Sequence, residues 1–273
     1  MTHPTLRVVA DDDARQEGQL DAVLASLPVS LRPAARQPGD LVAVSGTHGW
    51  ATRAVAAITQ GASGLMVVNP VIDVVDELIE VAAAHATPVV IDRPFSSNPA
   101  IDQAPSWPAR SADPYAVVES AITTSVATDL VRLALDQLSL IRRVATAVHS
   151  ADPIVWDGSG YVLQGRLTDG RRTILTATIT RAVDRSAWLR ILGGTGAVEL
   201  TVPDPATARA AHVTITTPHG ATLLPTLFET AHRSAWRRLY RMASEASGRS
   251  SELEDLRADM KIAAGWSTPQ TQT

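Results

Sequence analysis

Cysteine is missing from this 273-residue chain. That removes disulfides, thiolate metal sites and a cysteine nucleophile, and it fits a reducing compartment. Aromatic residues are scarce at 4%, so Leu, Val, Ile and Ala must fill the core. No sign of charge dominates: the formal net charge is −4, which gives no electrostatic case for nucleic acid or an anionic membrane. No apolar run reaches the ~18 residues of a membrane span. The opening MTHPTLRVVADDD lacks the basic and apolar regions of a signal peptide, so the expectation is a soluble, cytoplasmic protein. A Gly-x-Ser-x-Gly elbow and a phosphate-binding P-loop are also lacking. His212, His219 and His232 have no metal-ligand spacing with acids or with one another, so no metal is expected.

What remains is ample for a folded core. Apolar residues make up 45% of a length that suits one large or two modest domains. The first third alternates strand and helix. LRVVA (Leu6 to Ala10) reads as a strand, and Leu20, Val23, Leu24 and Leu27 form one helical stripe. VSLR near Val29 is a weaker strand and LVAVS (Leu41 to Ser45) a clear one. ATRAVAAITQ reads as a helix stopped by Gly61. LMVV, a helix carrying Val71, Val75, Leu78, Ile79 and Ala82, and PVVID follow. This is the rhythm of a parallel, doubly wound sheet.

The Pro- and Ser-rich stretch RPFSSNPAIDQAPSWPARSADP then marks a boundary, giving domains 1–95 and 96–273. A long helix is expected over about 126–148. Alternating strands follow, with Asp169-Gly170 read as a type I′ hairpin turn and Thr176, Thr178 and Thr180 facing away from Leu175, Ala177 and Ile179. This texture predicts a half-buried antiparallel sheet. Two helical segments close the chain. The expected fold is therefore a Rossmann-like α/β domain joined to an α+β domain with an open antiparallel sheet.

The order of local motifs resembles the Gfo/Idh/MocA oxidoreductases, the group of glucose–fructose oxidoreductase and inositol dehydrogenase. SGTHGWATRAVAAITQG precedes LMVVNP, so Val68-Asn69-Pro70 lies where the family carries Glu-Lys-Pro. TPVVIDRPFSSNPAI looks like the family's strand and Arg-x-x-Pro passage into the second domain. ATDLVRLALDQL looks like its Asp-x-Gly-x-His-x-x-Asp helix, with Asp129 and Asp136 keeping their spacing. WLRILGGTGAVEL and SELEDLRADMKIA resemble its sheet turn and closing helix. The resemblance implies an NAD(P)-dependent oxidoreductase of sugars or polyols that pairs through its open sheet.

The departures are chemical. The family's Gly-x-Gly-x-x-Gly turn admits a pyrophosphate to a helix N-terminus. Here Asp11, Asp12 and Asp13 stand in that turn, where carboxylates suit helix caps and repel a diphosphate. Asn69 and Leu133 stand where the resemblance implies the catalytic Lys and His, and neither transfers a proton near neutral pH. The remaining candidate site residues are His48, Asn69, Arg93, Asp129 and Asp136. Each has a plain alternative: a loop or packing role for His48, an ion pair with Asp92 for Arg93, and capping or solvation for the two aspartates. The expectation is a member that has lost NAD(P) binding and catalysis. It would serve as a structural or regulatory subunit, homo-oligomeric or paired through its sheet with a catalytic relative, or as a binder of a small polar ligand. The alternative is an active NAD(P)-dependent, or redox-neutral, enzyme on a sugar, polyol or similar hydroxy compound.

Overall fold

The computed structural model describes residues 5–35, 37–106, 113, 115–125, 129–207, 209–245 and 250–266. The chain forms two compact units. One takes the chain up to Arg93 together with Ala231–Ala258; the other takes Pro94–Thr230 and the chain from Asp259. Helix α6 (Ala231–Glu245) thus belongs with the first unit, although the expected boundary put it in the second domain.

The first unit is a five-stranded parallel sheet in the order β2-β1-β3-β4-β5. Its strands are β1 (Leu6–Ala10), β2 (Leu31–Pro33), β3 (Leu41–Ser45), β4 (Gly64–Val68) and β5 (Val89–Asp92). Every residue of β3, β4 and β5 is buried, as continuous apolar runs covered on both faces require. Alternation along the strands turns Leu41, Ala43, Met66, Val68 and Val90 toward α1 (Asp12–Glu17), α2 (Leu20–Ser26) and α6. There they pack with Leu20, Leu24, Trp236 and Leu239. At about 25 cal/mol per Å², burying each such large side chain stabilises by roughly 1.5–3 kcal/mol.

Helices α3 (Trp50–Thr59) and α4 (Asp76–Ala84) also belong to the unit, and Trp50, Ala54, Ile58 and Leu78 are buried. The last helix starts later than its apolar stripe suggests, because Val71 and Val75 are buried in the loop ahead of it. Gly61 follows α3 with φ +89°, a left-handed stop.

The second unit is built on an eight-stranded sheet, ordered β13-β12-β11-β10-β6-β9-β8-β7. Its strands are β6 (Val117–Thr124), β7 (Val148–Asp157), β8 (Gly160–Leu167), β9 (Arg172–Ile179), β10 (Ser186–Gly193), β11 (Gly196–Pro203), β12 (His212–Thr217) and β13 (Gly220–Leu223). The sheet is mixed rather than purely antiparallel: β6 and β9 run parallel and every other neighbouring pair runs antiparallel. One face is buried by Leu163, Leu175, Leu189 and Leu200, together with α5 (Leu130–Val144) and a 3₁₀ helix (Pro99–Ser106).

Two expectations change here. Positions 126–128 of the expected long helix lie outside the described residues, and the helix ends at Val144 rather than Val148. Val148 instead opens β7, an edge strand that tolerates Pro153 beside a bulge. The Asp169-Gly170 turn has positive φ only at Gly170, +88°, so it is not type I′. Leu167 N–H donates to Arg171 O at 2.9 Å and Gly170 N–H to Leu167 O at 3.0 Å. The connection is a three-residue loop with a left-handed glycine. Among the described residues no helix is long and apolar enough to cross a membrane.

Candidate functional site

Open parallel sheets present their chemistry at the carboxyl ends of the strands. In the first unit these ends are Ala10, Ser45, Val68 and Asp92, and Ser45, Val68 and Asp92 form one register row across three strands.

The turn after β1 is closed by Asp11. Its Oδ1 accepts the Ala14 N–H at 2.7 Å, the N-cap bond of α1, and its Oδ2 accepts the Ser45 N–H at 2.9 Å. One carboxylate therefore uses both oxygens to join the first helix to the end of β3. Asp12 and Asp13 follow, exposed, in the first turn. One donor of this helix terminus, the Ala14 N–H, is thus already taken by a resident carboxylate.

The next two loops cross at Gly46. Gly46 N–H donates to Val68 O at 2.7 Å, and Val71 N–H donates to Gly46 O at 2.8 Å. A Cβ on Gly46 would lie 2.2 Å from Pro70 Cα, so only glycine permits the crossing. Asn69 is held there with φ +48°, on a trans bond to Pro70. Its N–H donates to Asp92 O at 2.8 Å. A non-glycine residue in the left-handed region is worth a functional question, although asparagine tolerates it better than most. Arg53, one turn into α3, fastens the neighbouring loop. Its guanidinium donates to Ser45 O at 2.8 Å, Thr47 O at 3.1 Å, Thr47 Oγ1 at 2.8 Å and His48 O at 2.9 Å. His48 itself is exposed, with its backbone rather than its ring engaged by Arg53.

At the end of β5 the structure adds a pair that local spacing does not reveal. His232 Nδ1 on α6 and Asp92 Oδ2 are joined by a 2.8 Å hydrogen bond, with both residues buried. Asp92 Oδ1 and Ser45 Oγ are buried without a hydrogen-bond partner among the described residues. A Cβ on Gly18 would sit 3.6 Å from Asp92 Oδ2, so the C-cap of α1 lies close over this carboxyl group. Buried polar atoms of this kind are costly and concentrate where proteins bind or react.

Among the sequence-derived candidates, Asn69 and Arg93 belong to the first unit with His48, and Arg93 is buried next to Asp92 in the chain. The two aspartates belong to the second unit. Asp129 is exposed and caps α5, its Oδ1 accepting the Val131 N–H at 2.9 Å. Asp136 is 2% exposed, and its two oxygens accept the N–H groups of Phe95 at 2.9 Å and Ser96 at 2.8 Å. Leu133 lies buried on the same helix. The sequence contains a single lysine, Lys261, on α7 (Glu252–Ala264), within the second unit. The described residues hold no cluster of three or more His, Asp or Glu suited to a metal.

No protein-family model matches the sequence, and no curated protein matches it. Solved structures do match in fold. An oxidoreductase from Pseudomonas syringae superposes with a TM-score of 0.69 at 12% identity, over 98% of this chain and 99% of that one. KijD10, a 3-ketoreductase from Actinomadura kijaniata in complex with NADP, gives 0.69 at 12% identity over 96% of each chain. An oxidoreductase from Agrobacterium radiobacter, in complex with NAD+, L-tartaric acid and magnesium, gives 0.67 at 10% identity over 94% and 86%. The fold is thus that of NAD- and NADP-binding oxidoreductases, across nearly the whole chain, and at these identities the likeness establishes fold alone.

Proposed function

We propose that this protein is an oxidoreductase of the general kind its fold neighbours represent, acting on a small sugar-, polyol- or related hydroxy compound. The supporting observation is fold likeness over 96–98% of the chain to proteins of that kind, one of them holding NADP. In this reading the coenzyme lies away from the N-terminus of α1, because the Asp11 carboxylate takes the Ala14 N–H there and repels a diphosphate. The substrate is recognised by neutral hydrogen-bonding groups at the strand ends, chiefly the Asn69 amide. His48 is the exposed titratable group of the adjoining loop. Titration with NADH and NADPH, followed by turnover on a panel of aldoses, polyols and hydroxy acids, tests the proposal. Binding of either coenzyme with turnover that falls in Asn69→Ala supports it; absence of binding to both refutes it.

The Asp11 geometry favours a second reading. A carboxylate locked into the phosphate position, together with Asn69 in the family's lysine place, suits a chain that binds a small polar ligand, or serves as a subunit, without a coenzyme. The half-exposed face of the second unit's sheet would then pair with a second copy or with a catalytic relative. Light scattering, alone and with a co-expressed relative, separates the two assemblies; a monomer in both preparations removes the pairing.

A further inference from the structure

Arg185, in the loop between β9 and β10, is only partly satisfied by its neighbours. Its side chain is 25% exposed, and its Nε is buried without a hydrogen-bond partner among the described residues. The nearest carboxylate oxygen, Asp204 Oδ1, stands 3.8 Å from Nη1, too far for a hydrogen bond. The guanidinium lies instead over the ring of Phe95, 5.1 Å from its centroid. That stacking holds the cation flat but satisfies none of its five N–H donors.

The same side chain lines a cavity of about 800 Å³. Val183 and Phe228 also line it, and they are 54% and 76% exposed, unusual for residues of their size. The nearby carboxylates are already engaged. Asp184 is paired with Arg209 at 2.6 Å, and Asp204 Oδ1 accepts the Ala206 N–H at 3.0 Å. A guanidinium with one long ion pair and an unpartnered Nε therefore stands beside an exposed apolar wall, all within the second unit.

We propose that this cavity binds a small amphipathic carboxylate, an aryl or short acyl acid. Its two oxygens take parallel hydrogen bonds from Arg185, and its apolar body lies on Val183 and Phe228. The bidentate match of guanidinium to carboxylate supplies orientation, and the wall supplies burial. The proposed binding does not depend on the coenzyme.

Calorimetric titration of the full chain with benzoate, benzamide and inorganic phosphate tests the proposal. Benzoate is expected to saturate one site, and benzamide, which lacks the charge, to bind at least about tenfold more weakly. Arg185→Met and Phe228→Ser are each expected to weaken benzoate at least about tenfold while circular dichroism stays that of the parent. Should Arg185→Met fail to fold, Arg185→Lys, which keeps the charge but loses the fork, takes its place with the same expectation. Benzoate that never saturates, equal affinity for benzamide, variants that bind like the parent, or phosphate binding more tightly than benzoate would each overturn the assignment.

Discussion

Replacing His232 by alanine tests the buried pair at the end of β5. Asp92 is 0% exposed; Oδ2 is held by His232 and Oδ1 has no hydrogen-bond partner among the described residues. His232→Ala leaves neither carboxyl oxygen with that support and opens space on a helix face that also packs Ala235, Trp236 and Leu239. Removing one partner of a buried pair costs about 3–5 kcal/mol, of a total that is roughly 5–15 kcal/mol for a domain. For a protein of this size each kcal/mol moves the melting midpoint by about 2–4 °C, so a fall of roughly 6–20 °C is expected. Thermal unfolding read by Trp fluorescence reports it, since Trp236 lies one turn from the substitution. A double-mutant cycle with Asp92→Ala isolates the pair, and a coupling of about 1–3 kcal/mol is expected. A cost below about 1 kcal/mol with additive single effects would refute the claim that the two side chains hold each other in place.

Three other perturbations follow from the geometry. Gly46→Ala puts a methyl group where Pro70 already stands, at 2.2 Å from Cα, so soluble yield and melting temperature should both drop sharply; an unchanged melting curve would contradict the crossing. Asp136→Ala removes the acceptor of two buried backbone N–H groups, and a loss of about 2–5 kcal/mol in chemical denaturation is expected, against under 1 kcal/mol if the segment at Phe95–Ser96 is anchored by other means. Burial, and after it the charge of Asp136, pushes the Tyr161 hydroxyl well above the usual tyrosine value. Its contribution to stability is complete below the unfolded value of about 10 and is lost as pH rises through the higher folded value. Absorbance at 295 nm should therefore show one of the three tyrosines ionising only with unfolding, whereas smooth titration of all three in the folded protein would contradict this.

Local signals carried much of the fold. The valine-rich runs at Leu41, Leu65 and Val89 name buried parallel strands because both of their faces need cover. The three-acid turn announced a capped helix, and Asp11 does cap α1. The bond from Ser45 N–H to Asp11 was not legible, because it joins residues 34 apart through a sheet that must form first. The Asp92–His232 pair spans 140 positions, so no spacing rule could reach it. Helical periodicity ran past Val144 because Val148 is apolar in either element; the edge strand, with Pro153 and its bulge, is set by pairing with β8. The glycine after Asp169 correctly marked a turn, but turn type depends on loop length, and the loop here holds three residues rather than two.

The Asp11 carboxylate accepts the Ala14 and Ser45 N–H groups at the turn where a coenzyme diphosphate would lie in the usual pose. Fluorescence titration of NADH and NADPH into the parent protein and into Asp11→Gly tests it most directly. Freed donors and one fewer negative charge should raise affinity at least about tenfold in the variant, with the parent weaker for both coenzymes. Equal or tighter binding by the parent would contradict it.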